Sequence, residues 1–317
     1  MTVAVGTIIG PRMSHLIFPS LVAGALVAAL SVTGAFASAA PKADTPVAKP
    51  VVGPRAEMQR KYDDLIAKLQ PGAEDKEARD KLRNAYQQRA IMYETAGELA
   101  KAEADFTAAT KVEPVDASTF GDRGYFYIRS RRYADALGDF VAGSGLEPNN
   151  AVFRYGAGRV MANMKNFSAA VEFYNEAILL DPKDGRRYLS RAEALVRLGR
   201  LDEARPDYDR ALSKSLTRED KFFALLGRGY ALLDSGDYAD AVRDFDAAIE
   251  MEPSHANALT WRGFAYERLG STDAALRDYE QAVQRAPNNT WLRTSVRRMR
   301  SVDQQASAMP EPNRRSR

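Results

Sequence analysis

The chain is 317 residues long, 45% hydrophobic and 27% charged, and its 45 basic and 42 acidic residues leave a net charge of only +3. So close a balance excludes a global electrostatic pull toward nucleic acid or membrane, and any charge preference must be local. Cysteine is absent, which excludes disulfides, thiolate catalysis, cysteine-ligated zinc, iron–sulfur clusters and a lipidated N-terminal cysteine.

The first predicted element is an export segment over residues 1–39. Arg12 and His15 precede an uncharged stretch from Leu16 to Ala40, which ends in Ala35-Phe36-Ala37 and Ala37-Ser38-Ala39, with small residues at the alternate positions that signal peptidase accepts. Residues 16–40 are also long enough to serve as an uncleaved membrane tether. In both readings Arg12 stays on the cytoplasmic side and the residues after 40 lie outside the cytoplasm. Met13 is an alternative start that would remove this arginine. Residues 40–55 follow as a linker in which Pro41, Pro46, Pro50 and Pro54 favour an extended, semi-rigid course. Residues 56–71 are predicted to form an amphipathic helix through Met58, Tyr62, Leu65, Ile66 and Leu69, stopped by Pro71-Gly72. It either caps the array that follows or meets a partner.

From residue 83 a pattern recurs six times: alanine, a Phe or Tyr four residues later, then Ala or Gly three after that. Its copies are Ala102/Phe106/Ala109, Ala136/Phe140/Gly143, Ala170/Tyr174/Ala177, Ala204/Tyr208/Ala211, Ala241/Phe245/Ala248 and Ala275/Tyr279/Ala282. The period is near 34, and Pro114, Pro148 and Pro182 keep it, as do Pro253 and Pro287. A fixed period of this length indicates stacked helical hairpins. The units are 83–116, 117–150, 151–184, 185–218, 222–255 and 256–289, each numbered below from its own position 1. Position 8 is small throughout: Ala90, Gly124, Gly158, Ala192, Gly229 and Gly263. Small residues at 8, 20 and 27 let two helix backbones approach, while the aromatic at 24 fills the gap between hairpins. Gly97, Gly199, Gly236 and Gly270 separate the two helices, and proline at 32 ends the second.

Position 7 is Arg89, Arg123, Arg191, Arg228 and Arg262, and position 23 is Asp105, Asp139, Asp207, Asp244 and Asp278. The third unit loses both at once, to Ala157 and Phe173. Joint loss predicts a contacting pair across the hairpin; a ladder for a ligand is the competing reading. The fourth unit has Pro206 within its second helix, Leu216 in place of the terminal proline, and Glu219, Asp220 and Lys221 inserted before the next start. These predict a bend between residues 83–212 and 222–303, either a hinge or a tolerated irregularity. Residues 290–303 read as a capping helix with the stripe Leu292, Val296, Met299 and Val302, and residues 304–317 as a disordered basic tail.

The segment WRGFAYERLGSTDAALRDYEQAVQRAPNN, from Trp261 to Asn289, resembles a tetratricopeptide repeat, and the resemblance runs from about residue 83 to 289. It implies an all-α, right-handed superhelical solenoid of about six helical hairpins with a C-terminal capping helix. It also implies a concave groove lined by positions 2, 5, 9, 12 and 13 of each first helix. Those positions give Tyr125, Arg129, Tyr155, Arg159, Asn163, Arg186, Leu189, Arg197, Phe223, Leu226, Tyr230, Leu233, Phe264 and Arg268 as candidate partner contacts, together with Ile128, Glu193, Asp234 and Glu267. Family members that grip a C-terminal carboxylate carry lysine and asparagine at positions 5 and 9 of the first repeat. Here these are Gln87 and Ile91, which argues against that client.

Enzyme signatures are missing. His255 is the one histidine after the export segment, no phosphate loop ending in Gly-Lys-Ser/Thr occurs, and most carboxylates fall at outward or paired positions. The expectation is a non-catalytic scaffold of the periplasm or cell envelope, without metal, cofactor or nucleic acid, that binds a protein or peptide. A membrane-anchored assembly or oligomerisation factor is the alternative.

Overall fold

A computed structural model describes residues 53–70, 72 and 74–308. The expected export segment, nearly all of the linker and the last residues of the tail lie outside that range. Contacts divide the chain into Met1–Asp64 and Leu65–Arg317, a division that falls within the first helix, α1 (Pro54–Leu69). This helix starts two residues earlier than expected. The Gly53 carbonyl accepts from the N–H groups of Ala56 and Glu57 at 2.9 and 3.2 Å. Pro54 can take the first helical position because an N–H there would have no partner.

Six antiparallel hairpins follow: α2 (Lys76–Thr95) with α3 (Leu99–Ala109), α4 (Ala117–Arg129) with α5 (Tyr133–Leu146), and α6 (Ala151–Asn163) with α7 (Phe167–Leu180). Then come α8 (Gly185–Arg197) with α9 (Leu201–Leu212), α10 (Arg218–Ser235) with α11 (Tyr238–Met251), α12 (Ala256–Arg268) with α13 (Thr272–Arg285), and the final α14 (Thr290–Ala308). Two first helices begin before their expected starts. Asp75 caps α2 by accepting the Ala78 N–H at 2.7 Å, and no breaker lies between it and residue 83. Thr217 caps α10 by accepting the Asp220 N–H at 3.1 Å, so Glu219, Asp220 and Lys221 add a helical turn rather than a loop. The last helix, α14, also outruns its expected end at 303 by five residues.

The aromatic at position 24 explains the packing. Phe106, Phe140, Tyr174, Tyr208, Phe245 and Tyr279 are all at most 2% exposed, and the alanines at position 20 are fully buried. Burying each such ring contributes about 2–3 kcal/mol, the gain that repays a sharp reversal in every hairpin. Helix α9 stays helical through Pro206, whose ring is exposed. Leu216, standing where other units have proline, packs with Leu212 against the cluster around Tyr208.

The turn between paired helices needs a left-handed residue, and Gly97, Gly199, Gly236 and Gly270 supply it with φ from +74 to +83. Units two and three force Arg131 and Lys165 into the same region, at φ 59 and 63. A side chain there costs roughly 1–2 kcal/mol, partly offset by the unfolded-state freedom of glycine. Lys165→Gly is therefore expected to stabilise the array by about 0.5–1 kcal/mol in urea unfolding. A loss of stability would show that the lysine side chain contributes more than its strain.

Candidate functional site

The arginine row belongs to the frame. Arg89, Arg123, Arg191, Arg228 and Arg262 each donate from Nε and Nη2 to both oxygens of the aspartate sixteen residues on, at 2.6–2.9 Å. In the third unit Ala157 is buried and Phe173 packs into the apolar cluster. The Nη1 atoms of the last four arginines reach back to position 25 of the preceding unit: Thr107 (3.2 Å), Asn175 (2.6 Å), Asp209 (2.9 Å) and Asp246 (2.7 Å). Position 25 before the arginine-free third unit is Val141, which is exposed.

That joint is held by rings instead. A Cβ on Gly156 would fall less than 3.0 Å from three atoms of the Phe140 ring, and one on Gly143 equally close to the Phe153 ring. Each unit thus sends a phenylalanine onto a bare glycine backbone of the other.

The first-helix face is less open than the resemblance implies. Leu189, Tyr230 and Leu233 are only 5%, 7% and 2% exposed, which removes them from any surface a partner could touch without rearrangement. Tyr230 is covered because its ring stacks edge-on, at 5.5 Å, against Trp261 of the next unit. Phe223, Leu226 and Phe264 are half-buried, Phe264 at 6.2 Å from the same Trp261. The expected apolar strip is therefore mostly packing between hairpins. Trp261 occupies position 6, which the carried-over register omits; its signal was the bulk that replaces Gly156, Ser190 and Gly227 at that position.

The polar candidates remain on the face. Arg129 is bound by Glu94 of the preceding unit through two hydrogen bonds, at 2.5 and 2.8 Å. Arg186 is held by Asp184, which caps its own helix, and Asn163 donates to the Arg159 carbonyl at 2.8 Å. Arg159, Arg197 and Arg268 have no carboxylate within 4.0 Å among the described residues. Each lies over an aromatic ring of the preceding unit: Tyr125 at 5.4 Å, Phe167 at 4.8 Å and Tyr238 at 5.1 Å. Tyr155 shares a hydrogen bond with Ser190 at 3.0 Å, and burial pushes the Tyr125 hydroxyl up to about 12.

Among these groups stands Glu193, half-buried and without a hydrogen bond among the described residues. Burial, with the Asp220 charge beside it, pushes its carboxyl up to about 7, against a weaker opposing pull from Arg159. The folded chain therefore holds this proton more tightly than the unfolded one, where the value is 4.5. The resulting stability is complete below 4.5 and lost as pH rises through about 7. Glu193→Gln is expected to match the parent near pH 4 and exceed it in urea midpoint above pH 7. Parallel pH curves would show that the carboxyl ionises at no cost.

His255 is structural: its Nδ1 accepts the Ala258 N–H at 3.3 Å, capping α12, and its ring lies 4.8 Å from Phe222. Burial pushes its pKa down. No group of three His, Asp or Glu side chains among the described residues is placed to hold a metal ion.

The hairpin geometry agrees with the comparison to known families. A model of the tetratricopeptide repeat matches residues 88–151, 122–186, 155–220 and 226–290, together more than half of the chain. The chain belongs to the tetratricopeptide repeat family. Arrays of this family are protein-interaction scaffolds. The chain is 33% identical over 119 residues to Superkiller protein 3 of Schizosaccharomyces pombe, covering 37% of this chain and 9% of that one. It is 30% identical over 171 residues to the DnaJ homolog subfamily C member 7 homolog of the same organism, covering 53% and 30%. It thus spans less than a third of either relative. Among solved structures, PilF of Pseudomonas aeruginosa superimposes with a TM-score of 0.60 at 16% identity, over 70% of this chain and 98% of that one. YrrB, described as a tetratricopeptide repeat protein with an unusual peptide-binding site, gives 0.54 at 23% identity, over 61% and 97%. These two likenesses concern the fold alone.

Proposed function

We propose that the protein is a non-catalytic scaffold, exported to the periplasm or cell envelope, that holds a protein or peptide partner along the first-helix face of its tetratricopeptide array. One observation carries the binding half of this reading. The arginines at position 7 are consumed by intramolecular carboxylates, whereas Arg159, Arg197 and Arg268 on the groove face lie over rings with no carboxylate in reach among the described residues. Arginine and aromatic residues on a shared face are the usual chemistry of a protein contact. The export half rests on residues 1–40, with their uncharged stretch and Ala-x-Ala ending.

A photo-crosslinking residue in place of Asn163, exposed on this face, tests the binding half in intact envelopes. A discrete crosslinked partner is expected. Absence of any crosslinked species, from Asn163 and from Arg268 alike, would overturn the groove reading. Fractionation with N-terminal sequencing tests export: a mature start near Ser38 or Ala40 is expected, and an uncut chain in the membrane fraction would favour the anchored assembly factor.

A further inference from the structure

Arg159 and Arg197 stand on the adjacent first helices α6 and α8. Arg129, at position 13, reaches Glu94 at position 12 of the unit before it. The same step sets Arg197 beside Ala162, and Ala162 lies three residues beyond Arg159 on α6, a rise of about 4.5 Å. The Tyr125 and Phe167 ring centroids lie 5.4 and 4.8 Å from the two guanidinium carbons. A cation–π contact uses no N–H donor, so each guanidinium can still take a carboxylate in bidentate fashion. The hydroxyls of Tyr155 and Ser190, already bonded to each other, belong to the same two helices.

The charged groups around Glu193 decide the sign of the ligand. Facing it are Arg159 and Tyr155 from α6, Tyr174 from α7, Tyr208 from α9 and Asp220 from α10, with Arg197 one turn along its own helix. Asp220 lies in the first turn of α10, where the helix dipole favours a negative charge. With Glu193 protonated, Asp220 is the one carboxylate left among these facing groups, against the guanidiniums of Arg159 on α6 and Arg197 on α8. A basic segment would meet both of them unscreened.

Resting on the scaffold reading above, we propose that this stretch of groove takes an extended acidic segment of the partner protein, its carboxylates seated on Arg159 and Arg197. An extended chain places alternate side chains on one face about 6.6 Å apart, so an acidic-x-acidic sequence suits two guanidiniums on adjacent helices.

The test uses the exported form of the chain and two fluorescein-labelled ten-residue peptides, one alternating Glu and Ala, the other Lys and Ala, followed by anisotropy at low salt. The Glu peptide is expected to bind, with Arg159→Gln/Arg197→Gln weakening it about tenfold or more, as loss of charge-assisted hydrogen bonds requires. Binding should weaken as pH rises from 6 to 8, and Glu193→Gln should flatten that dependence. Circular dichroism of the double variant checks that it is folded, and Arg159→Lys/Arg197→Lys should retain part of the affinity. Equal binding of the Lys peptide, or a double variant that binds like the parent, overturns the acidic assignment. A partner that still crosslinks from Asn163 in the double variant would overturn it too, while leaving the scaffold reading intact. No peptide bound and no partner crosslinked would sink both.

Discussion

Asp207→Asn is expected to lower the unfolding free energy by about 3–5 kcal/mol, the usual result of removing one member of a buried ion pair. The Asp207 side chain is 2% exposed and receives both Nε and Nη2 of Arg191 at 2.7 Å. Asparagine offers one acceptor where two are needed, and the other hydrogen bond of Arg191, to Asn175, is to a neutral group. The guanidinium would stay desolvated with no opposing charge in contact. Asp244→Asn should cost less, because Arg228 keeps a second carboxylate in Asp209 at 2.9 Å. Urea unfolding at pH 7 orders the two variants. Removing both charges, as in Arg191→Met/Asp207→Leu, should recover most of the loss, since the pair stabilises little relative to apolar packing of similar volume. Equal costs for the two single variants would mean that a carboxylate at position 25 does no more for its arginine than an amide.

The second large effect has a sign opposite to what the repeat pattern suggests. Five of six units have alanine at position 27, so Gly143→Ala restores the majority residue and removes a glycine from a helix interior, ordinarily a gain of about 0.5–1 kcal/mol. The expected outcome is instead a loss of about 2–3 kcal/mol, as for overpacking a filled core. The new methyl would sit within 3.0 Å of three Phe153 ring atoms, and that ring is 2% exposed and has nowhere to go. A double-mutant cycle with Phe153→Ala isolates the clash: coupling of more than about 1 kcal/mol is expected. Additive costs would assign the loss to the helix itself.

The frame was legible because it repeats. Six copies set the register, and a single exception, Ala157 with Phe173, identified the arginine and aspartate as partners. The link to position 25 was not legible, since Thr107, Asn175, Asp209 and Asp246 share only the capacity to accept a hydrogen bond. Gly143 looked like an ordinary small residue until Phe153, ten residues on, was placed against it. The carried-over groove register named a helix face but could not give the depth of each residue on it. Whether a residue at position 9 or 12 is open depends on the next unit, as Trp261 covering Tyr230 demonstrates. The early starts of α2 and α10 followed from caps at Asp75 and Thr217 that lie outside the repeating pattern.

The exception in the third unit has a mechanical consequence. Between units two and three, phenylalanine rings seated on glycines replace the guanidinium bridge found at the other internal joints. These ring contacts do not depend on ionic strength or on carboxylate protonation, while the guanidinium bridges at the neighbouring joints answer to one or both. An acid or salt stress therefore does not load the solenoid evenly. The joint within residues 117–184 is expected to outlast those toward the C-terminus under such stress, so the array should come apart as unequal blocks rather than one hairpin at a time.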